Sequence, residues 1–174
     1  KFYQMEFEIK FKVKNPENIR KLLEQHGEFK ECVVEEDIYF DLPDNSFSSS
    51  DKVLRVRFSK KGIFLTYKGS KLKNRFLKIR EEIEVKTEES IVAILKAIGF
   101  VPKYKLRKKR EIYNLENTKV CLDYIEGLGC FIEVEVKNNN YQAAMNKIKE
   151  IAKALNFNLK NGIRKSYLEL MRGA

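Results

Sequence analysis

The chain has 174 residues, of which 43% are hydrophobic and 34% are charged, a composition that excludes an intrinsically disordered chain. We predict one domain over residues 1–174, long enough to bury a core without disulfides or metals as staples. The formal net charge of +10 indicates attraction to polyanions, namely nucleotide phosphate, nucleic acid or anionic lipid.

Three features of the sequence favour a cytoplasmic location with no membrane partner. The longest apolar run, residues 91–95, is far shorter than the roughly 20 residues that span a bilayer. The first ten residues are charged and lack the apolar core of a signal peptide. Cys32, Cys121 and Cys130 include no Cys-x-x-Cys pair, so they are interpreted as reduced thiols.

The first predicted strand, residues 3–13, alternates charged and apolar side chains. A helix follows it, with Asn15 as its N-cap and Gly27 at its end. The second strand covers residues 32–42. Residues 43–51 are rich in turn-forming side chains and are predicted to form an exposed, mobile loop.

Three further strands are predicted at 52–58, 62–69 and 76–86 because charged and apolar residues alternate there. A helix then begins after Thr87, its predicted cap, and ends at Gly99. Its apolar stripe is formed by Ile91, Ile94, Leu95 and Ile98.

The last three predicted strands are 104–115, 119–125 and 130–137, followed by a helix at 141–156 and a short helix near 163–171. The apolar face of the 141–156 helix consists of Ala144, Ile148, Ile151, Ala152 and Leu155. Together the segments predict an α+β fold with mostly antiparallel strands and helices packed outside. Eight strands are enough to close a barrel or to build one large sheet.

Charged side chains recur at every second position of several predicted strands. Carboxylates form such pairs in the first, fifth and eighth strands, whereas Arg and Lys pairs dominate the third and sixth. Residues two apart on a strand face the same side, about 6–7 Å from each other. Such a face is most often the solvent side of a sheet. If the faces instead lined a closed barrel, the cations would suit phosphate and the carboxylates a divalent metal.

The motif Glu6-Phe-Glu8-Ile-Lys10 resembles the signature of the CYTH, or triphosphate tunnel metalloenzyme, superfamily. Later segments occur in the order found in that family: "YFDLPD", "LRVR", "LTYKG", "REEIEV", "KKREIY", "VCLDYIEGLGCFIEVE" and "RKSYLEL". The resemblance covers nearly the whole chain. It implies a closed eight-stranded antiparallel β-barrel whose lumen binds a triphosphate together with Mg²⁺ or Mn²⁺.

The resemblance also implies roles for individual residues. The residues expected to bind metal are Glu6, Glu8, Glu84, Glu133 and Glu135. Those expected to bind the triphosphate are Lys10, Arg55, Arg57, Lys68, Lys108 and Arg110, with Arg80 and Lys165 as looser matches. Lys10 and Asp123 are the catalytic candidates, Asp123 either orienting a basic partner or assisting proton transfer.

Within the family, "LDYIEGLGCFIEVE" and "SYLEL" look most like the branch of class IV adenylyl cyclases, which convert ATP to cyclic AMP and pyrophosphate. The alternative is a triphosphatase that hydrolyses inorganic, thiamine or nucleoside triphosphate. A basic barrel that binds single-stranded nucleic acid is a third interpretation, but it leaves the carboxylate pairs unexplained. We therefore expect a triphosphate substrate, no nucleic acid partner and, by analogy with the family, a homodimer.

Overall fold

The computed structural model describes residues 4–173, and within this range eight strands and five α-helices follow one another along the chain. The strands are β1 (Gln4–Lys12), β2 (Glu28–Asp41), β3 (Val53–Ser59), β4 (Gly62–Lys68), β5 (Lys78–Thr87), β6 (Val101–Leu115), β7 (Thr118–Ile125) and β8 (Gly129–Asn138). The helices are α1 (Pro16–His26), α2 (Ser46–Ser49), α3 (Ile91–Ala97), α4 (Tyr141–Ala154) and α5 (Tyr167–Met171), with a 3₁₀ turn at Leu159–Asn161. The predicted start of the first strand at residue 3 lies outside the described residues.

The eight strands close into a barrel in the order β1-β5-β4-β3-β2-β6-β7-β8. Every neighbouring pair is antiparallel. The longest pairing joins β2 to β6 and runs from Glu28 opposite Asn114 to Asp41 opposite Val101. The prediction of an α+β fold with a closed eight-stranded antiparallel barrel is therefore confirmed, and the alternative of one open sheet is excluded.

The apolar core lies between the outer wall of the barrel and the helices. Phe7, Ile9 and Phe11 of β1 are at most 4% exposed and join the same cluster as Leu23 of α1 and Ile148 of α4. Because successive side chains of a strand face opposite sides, this places the charged residues of β1 in the lumen. The charged face of the first strand thus points inward.

The two long helices begin at side-chain caps. Asn15 accepts a hydrogen bond from the backbone N–H of Asn18 at the start of α1, and Asn140 does the same for Ala143 in α4. At the end of α1, strand β6 passes so close to Gly27 that an added Cβ would lie 2.7 Å from the carbonyl oxygen of Asn114. Both helices match their predictions to within two residues.

The helix predicted after Thr87 differs from the structure in where it begins and in how far it is buried. The predicted cap Thr87 is the last residue of β5, and α3 instead follows Ser90. Its apolar stripe is only partly buried: Leu95 is 4% exposed, but Ile94 and Ile98 are 53% and 63% exposed. The reason is that α3 has only seven residues and packs one narrow face against the barrel. The apolar stripe is wider than this face, so part of it stays exposed to solvent.

The segment 43–51 is not wholly irregular, since it contains α2. The buried carboxylate of Asp41 accepts hydrogen bonds from the backbone N–H groups of Phe47 and Ser48, at 3.0 and 3.1 Å. These bonds satisfy backbone donors in the first turn of the helix. The turn-forming composition of residues 43–51 did not predict this helix, because Asp41, which accepts its N-terminal hydrogen bonds, lies before that segment.

The C-terminal segment, defined here as residues 163–171, covers the end of the barrel at which β1 terminates. The backbone N–H of Ile163 donates to the carbonyl of Lys10 at 2.7 Å, and Ser166 and Glu169 form a capping box at the start of α5. The helix predicted near 163–171 is therefore present but shorter. Among residues 4–173, no helix has the length and apolarity needed to cross a membrane.

Candidate functional site

The inward side chains of the strands line a cavity in the barrel lumen, with about 730 Å³ of space when its mouth is included. Glu6, Glu8 and Lys10 of β1 are each at most 3% exposed. Ten basic side chains line the cavity: Lys10, Arg55, Arg57, Lys68, Lys78, Arg80, Lys108, Arg110, Lys119 and Lys137. Six acidic side chains do so as well: Glu6, Glu8, Glu82, Glu84, Glu133 and Glu135. Most of the described side chains that line the lumen are therefore charged, and basic ones outnumber acidic ones among them.

Most residues singled out from the sequence come together in this cavity. The twelve that line it are Glu6, Glu8, Lys10, Arg55, Arg57, Lys68, Arg80, Glu84, Lys108, Arg110, Glu133 and Glu135. Asp123 lies behind Arg110 and is wholly buried. Lys165 is not among the lining residues.

Two arginines are fixed by buried aspartates through paired hydrogen bonds. Nε and Nη2 of Arg57 donate to the two carboxylate oxygens of Asp37 at 2.7 and 2.8 Å. Nε and Nη2 of Arg110 donate to those of Asp123, both at 2.6 Å. Such bidentate pairs fix the plane of the guanidinium group. Burial opposes ionisation of Asp37, but Arg55 and Arg57 outweigh it and lower the pKa of Asp37 to about 2.

A network of ion pairs joins β1 to β5 and β8. Glu8 contacts Lys10 and Lys78, and Lys10 also lies 3.6 Å from Glu133. Nη2 of Arg110 donates to Glu133 at 2.8 Å. Burial and the neighbouring Glu8 raise the pKa of Glu133, but Arg110 and Lys10 outweigh them and lower it to about 2. Both carboxylates of this group are therefore held in their charged form.

A second group of ion pairs lies toward the other end of the barrel. Nζ of Lys68 contacts both carboxylate oxygens of Glu6, at 2.9 and 3.0 Å, and it also bonds Glu82. Lys137 donates to Glu82 at 2.9 Å. Burial lowers the pKa of Lys68, but Glu6 and Glu82 outweigh it and raise the pKa above its usual value.

The cavity is covered at one end and open at the other. At the end next to the C-terminal segment, the side chains of Lys10 and Lys108 are 1% and 4% exposed. At the opposite end, those of Lys119 and Lys137 are 43% and 41% exposed. Ser166 and Tyr167 line the covered end. A ligand would therefore enter past Lys119 and Lys137, at the open mouth.

Arg80 is a cation of the cavity with two guanidinium donors that lack partners among the described residues. It is 2% exposed, and within residues 4–173 no group accepts a hydrogen bond from its Nε or Nη1. Nε of Arg55 is likewise buried without a partner. Buried charges are normally paired, because removing them from water is costly. These donors therefore mark a place where an anion would be strongly favoured.

Several site residues were missed by sequence reasoning. Lys78 lines the cavity beside Glu8, and burial lowers its pKa to about 7, although Glu8 raises it. Its position two residues before Arg80 on the same strand face is the signal that would have found it. Lys119 and Lys137 flank Glu135 at the mouth. They too were open to prediction, because Lys137 lies two residues after Glu135 and Lys119 four residues before Asp123, each pair on one strand face.

Carboxylate oxygens suit a hard divalent cation such as Mg²⁺ or Mn²⁺, and the cavity offers several. In the described residues, however, no three acidic, histidine or cysteine side chains converge in an arrangement that could hold a metal. The carboxylates are paired with cations instead: Glu133 with Arg110, and Glu135 with Lys119. The carboxylate oxygens therefore fit a divalent metal once another anion has bound the arginine and lysine side chains with which they are now paired.

The sequence pattern of the CYTH domain matches residues 4–167. The chain belongs to the CYTH family. It is 41% identical over 172 residues to the protein named "Putative adenylate cyclase MJ0240" of Methanocaldococcus jannaschii, which covers 95% of this chain and 98% of that protein.

Solved structures of other proteins share the fold. The PH1819 protein of Pyrococcus horikoshii OT3 superposes with a TM-score of 0.85 at 34% identity, covering 97% of this chain and 98% of that one. A Hippeastrum protein, described as a "putative adenylyl cyclase" with a dominant triphosphatase activity, superposes with a TM-score of 0.75 at 16% identity. That match covers 98% of this chain and 95% of the Hippeastrum protein, and at this identity it supports the fold alone.

Proposed function

We propose that this CYTH protein is a divalent-metal-dependent enzyme that binds a triphosphate in the barrel and breaks one of its phosphoanhydride bonds. The observation that carries the proposal is Arg80, a buried cation whose Nε and Nη1 have no partner among the described residues, in a cavity whose lining side chains are more often basic than acidic. A triphosphate would supply those partners along its whole length.

The proposed phosphate ligands surround the lumen from several strands. Arg57 and Arg110 already have one edge bound by an aspartate, so each presents a guanidinium plane of fixed direction. The other proposed ligands are Lys10, Arg55, Lys68, Arg80 and Lys108. Lys165 is the weakest of the predicted ligands because it does not line the cavity. Asp123 is proposed to act by holding Arg110 rather than by touching substrate.

Mg²⁺ or Mn²⁺ would be held by Glu6, Glu8, Glu84, Glu133 and Glu135. When bound, such a metal offsets negative charge on the reacting phosphate. The lysines and arginines that now neutralise these carboxylates are the groups proposed to bind phosphate. Phosphate binding would therefore free carboxylate oxygens, and substrate and metal would be bound together.

The first candidate reaction is the cyclisation of ATP to cyclic AMP and pyrophosphate. In this reaction the ribose 3′-oxygen loses its proton and bonds to the α-phosphorus, and the bond from that phosphorus to the bridging oxygen of pyrophosphate breaks. The 41% identity to a protein named as a putative adenylate cyclase favours this candidate. The nucleoside would lie toward the open mouth, because the opposite end is covered by Tyr167.

The second candidate reaction is hydrolysis of a triphosphate by water. It is favoured by the composition of the cavity, in which Tyr39, Val53 and Tyr167 are the lining residues with mainly apolar side chains. Nucleobase sites usually offer more apolar surface than this. Hydrolysis requires only a water molecule placed against a phosphorus atom, and it needs no base site.

One assay separates the two reactions. The purified protein is incubated with ATP, or with inorganic triphosphate, in the presence of Mg²⁺ or Mn²⁺, and the products are identified. Cyclic AMP with pyrophosphate is the result expected for the first candidate, and orthophosphate for the second. Glu133→Gln is expected to stop either reaction. No turnover of either substrate, combined with oligonucleotide binding that weakens steeply with salt, would favour the nucleic acid interpretation instead.

A further inference from the structure

The C-terminal segment brings into the cavity a side chain to which the sequence motifs give no role, Tyr167. It lines the covered end, is 5% exposed and is the first residue of α5. The segment is held in place on both sides of this residue. Ile163 bonds the backbone of Lys10, and the carboxylate of Glu169 contacts Lys71. Tyr167 is therefore positioned by two independent anchors.

The hydroxyl group of Tyr167 extends the network behind the cavity wall. It donates to Oδ2 of Asp123 at 2.7 Å, the same oxygen that accepts from Nη2 of Arg110 at 2.6 Å. Arg110 in turn donates to Glu133 at 2.8 Å. Since Asp123 is wholly buried, Tyr167 and Arg110 together fix the plane of its carboxylate. The direction of the guanidinium group thus depends on the tyrosine hydroxyl.

The ring of Tyr167 contacts two further cations. Nζ of Lys10 lies 4.9 Å from the ring centroid, and Nζ of Lys108 lies 5.5 Å from it. Phe131 packs edge-on at 5.4 Å and holds the ring in place. A desolvated ammonium group gains favourable energy from such a ring. One side chain therefore touches, directly or through Asp123, three of the cations that surround the covered end.

We propose that Tyr167 is a positioning residue that holds Arg110, Lys10 and Lys108 in the geometry that binds the terminal phosphate of the substrate. This inference rests on the proposed function. Burial and Asp123 raise the pKa of Tyr167 well above its usual value, so the hydroxyl keeps its proton and remains a donor. The tyrosine acts by fixing its neighbours and takes no proton from the substrate.

The test compares Tyr167→Phe, which loses only the hydroxyl, with Tyr167→Leu, which also loses the ring. The dissociation constant for inorganic triphosphate is measured by calorimetry without metal, alongside thermal melting. Losing one buried hydrogen bond to a charged group is expected to weaken binding about tenfold in Tyr167→Phe. Tyr167→Leu is expected to bind more weakly again, since the contacts with Lys10 and Lys108 are also lost.

Tyr113→Phe is the matched control. Tyr113 is 2% exposed and donates to the buried carboxylate of Glu111 at 3.2 Å, but it does not line the cavity. This variant is expected to melt at a lower temperature with affinity unchanged within about twofold. If Tyr167→Phe behaves like Tyr113→Phe, the tyrosine is merely structural and the inference is overturned. If the native protein binds no triphosphate, the proposed function fails and the inference fails with it.

Discussion

Arg80 is 2% exposed, and two of its donors have no partner within the part of the chain that the structure describes. A buried donor that lacks a hydrogen-bond acceptor lowers the stability of the folded state. Arg80→Met should therefore raise the free energy of unfolding of the ligand-free protein, by about 1 kcal/mol or more, while greatly weakening triphosphate binding. Denaturant unfolding and calorimetry would measure the two effects on the same sample.

Arg57→Met is the informative comparison, because Arg57 is paired with Asp37 through two hydrogen bonds. Removing it leaves a buried carboxylate without its partner, so this variant should lose both stability and affinity. A gain of stability in Arg80→Met together with a loss in Arg57→Met would indicate an anion site at Arg80. A loss of stability in Arg80→Met would mean that its charge is satisfied in the folded protein.

Asp37 is expected to make the free energy of unfolding depend on pH in the acid range. Its pKa is about 2 in the folded protein against a usual value of 3.8, so the unfolded chain binds more protons between these values. The stability it contributes is full above about pH 4 and is lost as the pH falls toward 2. Asp37→Asn should lower the free energy of unfolding by about 3 kcal/mol at pH 7. It should also reduce the loss of stability between about pH 4 and pH 2, here called the acid limb. Denaturant unfolding at a series of pH values measures both.

Glu36→Gln provides the control on the other face of the same strand. Glu36 pairs with Arg107 at 3.4 Å, and both side chains are at least 60% exposed. Exposed pairs contribute little, so this variant should stay within about 0.5 kcal/mol of the native protein with an unchanged acid limb. Equal losses in the two variants would contradict the distinction between lumen and surface.

At the scale of the elements, alternation located all eight strands, because a strand with one polar and one apolar face carries its pattern locally. The same pattern could not say which face points inward. That direction follows from closure of the barrel, which pairs residues as distant as Glu6 and Lys68. Caps such as Asn15 were predictable for the same local reason. The partners of the site residues were not, because they depend on strand order.

Helix α4 allows a test of whether the apolar core and the charged cavity contribute independently to stability and to binding. Ile148 is wholly buried between this helix and the outer wall of the barrel. Ile148→Ala should lower the free energy of unfolding by about 3 kcal/mol through the cavity it leaves. The dissociation constant for triphosphate should be unchanged, since the residue lies across the barrel wall from the lumen. Chemical denaturation and calorimetry test the two statements.

The same substitution in α3 is a control for the helix whose burial was overestimated from the sequence. Ile94 belongs to the predicted apolar stripe, yet it is 53% exposed. Ile94→Ala should therefore cost less than about 1 kcal/mol. A cost equal to that of Ile148→Ala would indicate that the exposed side of α3 is covered in solution, as in the homodimer predicted from family analogy.

At the scale of the whole molecule, the barrel divides the chain into a charged interior and an apolar layer outside it. Among the described residues, ten basic and six acidic side chains line the lumen, and the buried carboxylates of Glu35, Asp37 and Asp123 pair with three of the basic ones. The charges of the interior are therefore nearly balanced, and the interior accounts for little of the net charge of +10. The single domain over 1–174, the cytoplasmic location and the homodimer stay predictions.

The pairing inside the lumen predicts an order of ligand binding. Lys68 bonds both oxygens of Glu6, and Arg110 bonds Glu133, so the carboxylates are engaged before any metal arrives. Mg²⁺ alone should therefore shift the melting temperature little. Inorganic triphosphate alone should raise it, because it neutralises the cations, and both ligands together should raise it further. Thermal melting with EDTA, metal, triphosphate and the combination measures this order.

The combined effect is the decisive part of that experiment. If phosphate takes Lys68 and Arg110 away from their carboxylates, the metal should bind more tightly once triphosphate is present, and by linkage triphosphate should bind more tightly in the presence of metal. Glu133→Gln should reduce this mutual gain while leaving binding of triphosphate alone largely intact. A large shift with Mg²⁺ alone would instead show that the carboxylates exchange their lysines and arginines for metal without help from phosphate.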